Sequence, residues 1–181
     1  MSDSYQVQDQ YGAYFLTFQI IEWVDIFTRK KYRDICIDCF KFCRAHKGME
    51  LFGYVIMSNH IHLIIRSRNG NLSGLIRDFK KYTAKQIIKE ITTGGFESRI
   101  DWLLHRMKFN AAYNARSSEY QLWTHENHAV ELYSNKFIQQ KLNYIHQNPV
   151  RAGIVERPEH YLYSSATNYA ELESIMEIDF I

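Results

Sequence analysis

Residues 51–66 read LFGYVIMSNHIHLIIR, two apolar runs on either side of a polar break at Ser58-Asn59. That pattern is strand, tight turn, strand. Alternate residues of a strand share a face, so His60 and His62 present two imidazoles side by side while Ile61 turns the opposite way. Two adjacent imidazoles are half of a metal site, and whatever completes it has to come from elsewhere in the chain.

The segments flanking this hairpin are helical. After the polar run 67–71, a helix is predicted from about Ser73 to Ile91, with Leu75, Ile76, Phe79, Thr83 and Ile87 on its inner face. Arg77, Lys81, Lys85 and Lys89 recur every four residues on another side, with Lys80 beside them. Such a row can track a phosphate backbone, although a solvated helix face is the commoner reason for any single lysine. Before the hairpin, Tyr32, Ile35, Cys36, Cys39, Phe40 and Cys43 recur at three- and four-residue spacing from Arg29 to His46. Thr28 is the candidate cap of this helix and Gly48 its C-terminal glycine. All three cysteines of the chain fall on that apolar stripe, which points to core packing rather than a metal cluster. Tyr14 to Ile21, YFLTFQII, has the aromatic and β-branched content of a first strand.

Residues 92–122 are harder to read: Thr92-Thr93-Gly94-Gly95 breaks the helix, Ile100 to Ala112 has a helical pattern through Trp102, Leu103, Met107 and Phe109, and Asn114 to Ser118 is polar. The stretch reads as an insertion or a mobile arm. Gln121 to Leu132 looks extended, and a third helix is predicted from Ser134 or Asn135 to Asn148, ending there because Pro149 disfavours helical geometry at the residue before it. The order is β-α-β-β-α-β, an α+β fold of the ferredoxin-like kind with an antiparallel sheet and further helices appended, all in one domain.

The chain has 181 residues, 46% of them hydrophobic, which suffices for one core. Its net charge of +2 conceals an asymmetry: residues 28–89 carry fourteen bases against four acids, while residues 1–27 carry four acids and no base. Positive charge is thus concentrated around the histidine pair, which favours a polyanionic partner and salt-dependent binding. The sequence contains no run of 18 apolar residues and no N-terminal signal pattern. Together with three cysteines confined to one segment, this suggests a cytoplasmic protein with no membrane partner.

The third helix offers what the histidine pair lacks. Tyr144 and Asn148 are four residues apart and share a helix face, with roughly 6 Å between their Cβ atoms. If that face meets the histidine strand, the Asn148 carbonyl can bind a metal while the Tyr144 phenol stands beside it. A mixed imidazole and oxygen donor set suits Mg²⁺, Mn²⁺ or another divalent ion. His146 points away from Tyr144 around the helix and is assigned no catalytic role.

These residues carry a resemblance. MSNHIHLI resembles the HUH motif (His, bulky apolar, His) of the single-tyrosine transposases, and YIHQNPVRAGIV with YSSATNY resembles the C-terminal signature of their REP-associated branch. The likeness spans residues 14–91 and 121–169. It implies that His60 and His62 bind the metal and that Tyr144 is the nucleophile. Asn148 would stand where relatives place a polar ligand, with Gln147 as the substitute if the helix is rotated. The implied activity is cleavage and rejoining of single-stranded or hairpin DNA through a 5′-phosphotyrosine, assisted by Mg²⁺ or Mn²⁺; a phenol needs help to lose its proton for this. Arg66, Arg68, Arg77, Lys80, Lys81, Lys85 and Lys89 would hold the DNA. Relatives occur as monomers and dimers, which leaves a homodimer open. Two other functions fit the same residues: a non-cleaving binder of hairpin DNA or RNA, and a metal-dependent phosphoesterase that uses water.

Overall fold

The computed structural model describes residues 6–113 and 119–181; the polar stretch Asn114 to Ser118 lies outside them. The hairpin forms as its two apolar runs and polar break predict, β2 (Met49–Ile56) pairing antiparallel with β3 (His60–Ser67). β1 (Tyr14–Gln19) runs antiparallel along the other side of β3, and the two-residue β4 (Val130–Glu131) pairs with β1. The sheet order is therefore β2-β3-β1-β4. α1 (Lys30–His46) links β1 to β2, and α2 (Leu72–Thr93) follows β3. This is the predicted α+β, ferredoxin-like arrangement, with β3 inserted between two strands joined by a helical crossover.

α1 and α2 cover one face of the sheet. The Phe40 ring of α1 stacks on Phe79 of α2 at 4.6 Å, and Phe79 lies 5.6 Å from Phe18 of β1. Phe18 is the register partner of Ile61, so by strand alternation this is the face opposite His60 and His62. Cys36, Cys39 and Cys43 are free and buried in the core. The helix starts differ in detail from expectation. The Thr28 hydroxyl donates to the Asp25 carbonyl instead of capping α1, and α2 begins at Leu72 with the Asn71 side chain accepting from the Gly74 N–H. Gly48, two residues past the end of α1, has the left-handed φ of +69° that such a stop requires.

α3 (Ile100–Ala112) buries Leu103 and Met107, whereas Trp102 and Phe109 face outward. α4 (Asn135–Arg151) lies across the other face of the sheet, capped by Ser134, whose hydroxyl accepts from the Phe137 N–H. Its Leu142 and Ile145 sit over Gly53 of β2, where a side chain would collide with Leu142. The helix does not stop at Asn148. Pro149 is buried within it, and the turn beyond is closed by Ala152 N–H to Asn148 and Ile154 N–H to Pro149. The backbone preference before a proline is outweighed here by burial of the ring and by these closing bonds.

The extended segment 121–132 follows β1 along most of its length but forms a ladder only at Val130–Glu131. Leu122, Thr124, Asn127 and Leu132 each bond to the β1 region, with His128 in a left-handed turn between them. The opposite sheet edge is closed by the C-terminal segment, where Ile56 N–H bonds Tyr163 and Ser165 N–H bonds Tyr54. Among the described residues no helix is long and apolar enough to cross a membrane.

Candidate functional site

Strand alternation places Thr17 of β1 opposite His62 and Gln19 opposite His60. The two imidazoles stand edge to face with centroids 4.7 Å apart. His60 Nδ1 donates to the Asn59 side-chain oxygen at 2.7 Å, so its Nε2 carries the lone pair. His62 Nδ1 shares a 2.9 Å hydrogen bond with the Thr17 hydroxyl, and its ring stacks on Phe15 at 5.3 Å. Hydrogen bonds of this kind fix the tautomer and ring plane of a metal-binding histidine.

Burial holds both rings neutral. It lowers the pKa of His60, and it drives that of His62 down to about 3, with further push from His60, Lys141 and Arg151. Two neutral imidazoles with oriented Nδ1 atoms fit a divalent cation. Among the described residues no third His, Cys, Asp or Glu joins them, so a further protein ligand has to be an amide or other neutral oxygen. Asn148 and Gln147 are half-buried on α4, on the helix that packs over the histidine strand.

The same helix delivers Tyr144. Its ring lies 5.3 Å from His62 and 5.9 Å from Phe15, and the residue remains 39% exposed. A tyrosine ring that packs against His62 and is still open to solvent can reach an incoming group. Two cations flank it: the Arg151 guanidinium lies 4.5 Å from the ring centroid and Lys141 Nζ 5.9 Å, with Lys141 also 4.6 Å from Phe15. Neither cation was expected from the sequence. The available signal was spacing, since Lys141 and Arg151 stand three residues before and seven after Tyr144 on the same helix face. His146 faces away, its Nε2 2.9 Å from the Ser165 hydroxyl.

The other sequence-derived cations lie apart from this cluster. Arg66 and Arg68 pair with Glu50, and Arg77 with Asp78. Lys80 donates to the Thr124 and Glu126 carbonyls, and burial brings its pKa down to about 7. It straps the 121–132 segment to α2. Lys81, Lys85 and Lys89 are exposed on α2, a helix packed on the sheet face opposite the histidines.

Comparison with known proteins gives two findings. A family model described as "Transposase IS200 like" matches residues 13–148. The fold is similar to a solved structure of a REP-associated tyrosine transposase bound to a REP hairpin, with a TM-score of 0.65 and 17% sequence identity, covering 100% of this chain and 94% of that one. No curated protein matches the sequence.

Proposed function

Since this chain belongs to the IS200-like transposase family, we propose that it cuts and rejoins single-stranded or hairpin DNA through a covalent bond to Tyr144, with help from a divalent metal ion. The observation that carries this reading is the approach of the exposed Tyr144 ring to within 5.3 Å of the buried His62 ring. A hairpin substrate is supported by the similar fold that was solved on a REP hairpin.

His60 and His62, with the Asn148 or Gln147 amide oxygen, would hold Mg²⁺ or Mn²⁺, which when bound neutralises charge on a non-bridging phosphate oxygen. Thr17 and Asn59 keep the two imidazoles oriented for metal binding. The Tyr144 oxygen attacks phosphorus and its proton passes to solvent, a loss that a divalent cation held beside it would assist. The phosphorus–O3′ bond breaks, the 3′-oxygen takes up a proton, and the 5′-phosphate stays on Tyr144. A 3′-hydroxyl that later attacks the phosphotyrosine reverses each of these changes and joins a strand. Lys141 and Arg151 meet the phosphate charge beside the phenol. The exposed Lys81, Lys85 and Lys89 would hold DNA farther from the scissile bond, and Arg66, Arg68 and Arg77 would add to that field.

The test is incubation with labelled single-stranded and hairpin DNA in Mn²⁺ or Mg²⁺, followed by denaturing gels. A covalent protein–DNA adduct is expected, and it should vanish in Tyr144→Phe. Cleavage that persists in Tyr144→Phe assigns the attack to water, and binding without any cleavage leaves a hairpin-recognition module.

A further inference from the structure

Trp23 is 56% exposed, yet its position is unusually constrained. Glu22 and Trp23 both have left-handed φ, 51° and 56°, a conformation that side-chain-bearing residues seldom adopt. Three contacts hold the turn. Asn59 Nδ2 donates to the Trp23 carbonyl at 3.2 Å, and the Glu22 carboxylate receives Arg106 at 3.2 Å and Asn110 at 2.8 Å from α3. Asn59 is also the residue that orients His60. The indole stands edge to face with His60 at 5.9 Å. Four rings therefore succeed one another across the sheet: Trp23, His60, His62 and Tyr144. Trp23 is not part of the core: the buried tryptophan against Phe18 and Phe27 is Trp123.

We propose that the Trp23 indole is a stacking platform for an unpaired nucleobase adjoining the scissile phosphate, on the side of the histidine pair away from Tyr144. The proposal rests on the strand-cleavage reading. A phosphate attacked by Tyr144 beside His60 and His62 has one neighbouring nucleotide directed past His60, where the indole stands. Stacking on an aromatic face accepts any base, but only a base that is free of a partner strand. A single strand can supply that base; a duplex has to unpair one first. Through Arg106 and Asn110, α3 then fixes the turn that holds the platform beside the metal ligands.

The test uses the full chain with Tyr144→Phe, so that no strand is cut, and compares it with the same protein carrying Trp23→Phe, Trp23→Ala or Trp23→Gly. Each is titrated with random-sequence single-stranded DNA and with duplex of equal length, by tryptophan emission and by anisotropy of a labelled strand. Single-stranded DNA should quench emission, and the Trp23 share of that quench should disappear in Trp23→Phe, which keeps its affinity. Trp23→Ala and Trp23→Gly should bind roughly tenfold more weakly. Glycine accepts left-handed φ without strain, so weak binding by Trp23→Gly at an undiminished melting temperature separates loss of stacking from loss of fold. Quenching that survives unchanged in Trp23→Phe, or alanine and glycine variants that bind single-stranded DNA as tightly as the protein with Trp23 in place, overturns the platform alone. If the protein with Trp23 in place binds no DNA at all, the platform and the strand-cleavage reading fall together.

Discussion

The Tyr144 ring meets the His62 ring at 5.3 Å within one chain. α4 thus packs over the histidine strand of its own sheet, and one polypeptide brings both parts of the candidate site together. A consequence is that two defective chains should not rescue each other. Mixing His62→Ala with Tyr144→Phe should give no more covalent adduct than either variant alone, whereas exchange of tyrosine helices between subunits would restore a site in the mixture. Adduct formation by the mixed variants above that background would count against the single-chain site.

Metal binding should resist mild acid. Protons compete with a metal for an imidazole, and they do so only as pH nears the histidine's pKa. Burial lowers the pKa of His60, and that of His62 falls to about 3; both lie below the ordinary imidazole value of about 6.5. Mn²⁺ affinity followed by calorimetry should therefore be flat from pH 8 to about 6.5 and decline only below it. His60→Ala and His62→Ala should each abolish most of the binding, and chelation of the metal should stop cleavage while leaving the fold intact. An acid limb centred at or above the ordinary value would contradict the buried, neutral pair.

How far the sequence reveals this site depends on what each residue signals. The faces of α1 and α2 are legible because burial on one side leaves a period of about three and a half, and the hairpin and β1 because short apolar runs rich in β-branched and aromatic residues end at polar breaks, as strands buried on both faces do. The pairing of Tyr144 with Asn148 on one helix face is also legible, but which side of the sheet that face meets is not. A lysine on a helix looks the same whether it faces solvent, as Lys85 does, or caps a carbonyl pair, as Lys80 does. Lys141 and Arg151 were hidden for that reason. The turn at Trp23 was hidden for another, since left-handed φ at two residues other than glycine is imposed by Asn59 and α3 and leaves no local trace. β4 is obscured by the turn at His128, and the end of α4 by a proline that tertiary packing tolerates.

The two sets of cations should separate by effect. Lys141 lies between the rings of Phe15, Phe137 and Tyr144, while Lys81, Lys85 and Lys89 project from the helix layer behind the sheet. Loss of a charged contact at the scissile phosphate costs about 1.5–3 kcal/mol, or roughly ten- to a hundredfold. Lys141→Ala should lower the cleavage rate by that amount at saturating DNA. Single alanine substitutions at the three α2 lysines should mainly change affinity and reduce its salt dependence, with each lost phosphate contact lowering the slope by roughly 0.7–0.9. Rate losses at Lys85 equal to those at Lys141 would place the scissile strand on the wrong face of the sheet for Tyr144.

Gly53 sets how closely α4 can approach the sheet, and so where Tyr144 stands. A Cβ at this position would lie 2.7 Å from Leu142 Cδ2 and 3.7 Å from Ile145 Cδ1, both on α4. Leu142 is itself buried, so it cannot simply swing into solvent. Overpacking of this kind costs about 1–3 kcal/mol, and a helix pushed outward carries Tyr144 away from His62. Gly53→Ala should therefore lower the unfolding free energy by that amount and reduce adduct formation further than the fraction unfolded explains. The clash is with one side chain, so removing it should relieve the strain. Leu142→Ala alone leaves a cavity and costs about 2–5 kcal/mol. The double variant should then be more stable than the sum of the two losses, by about 1 kcal/mol or more. Denaturant unfolding of the four proteins gives the coupling directly. Strict additivity would mean that α4 does not rest on Gly53, and the approach that brings Tyr144 to the histidines would need another cause.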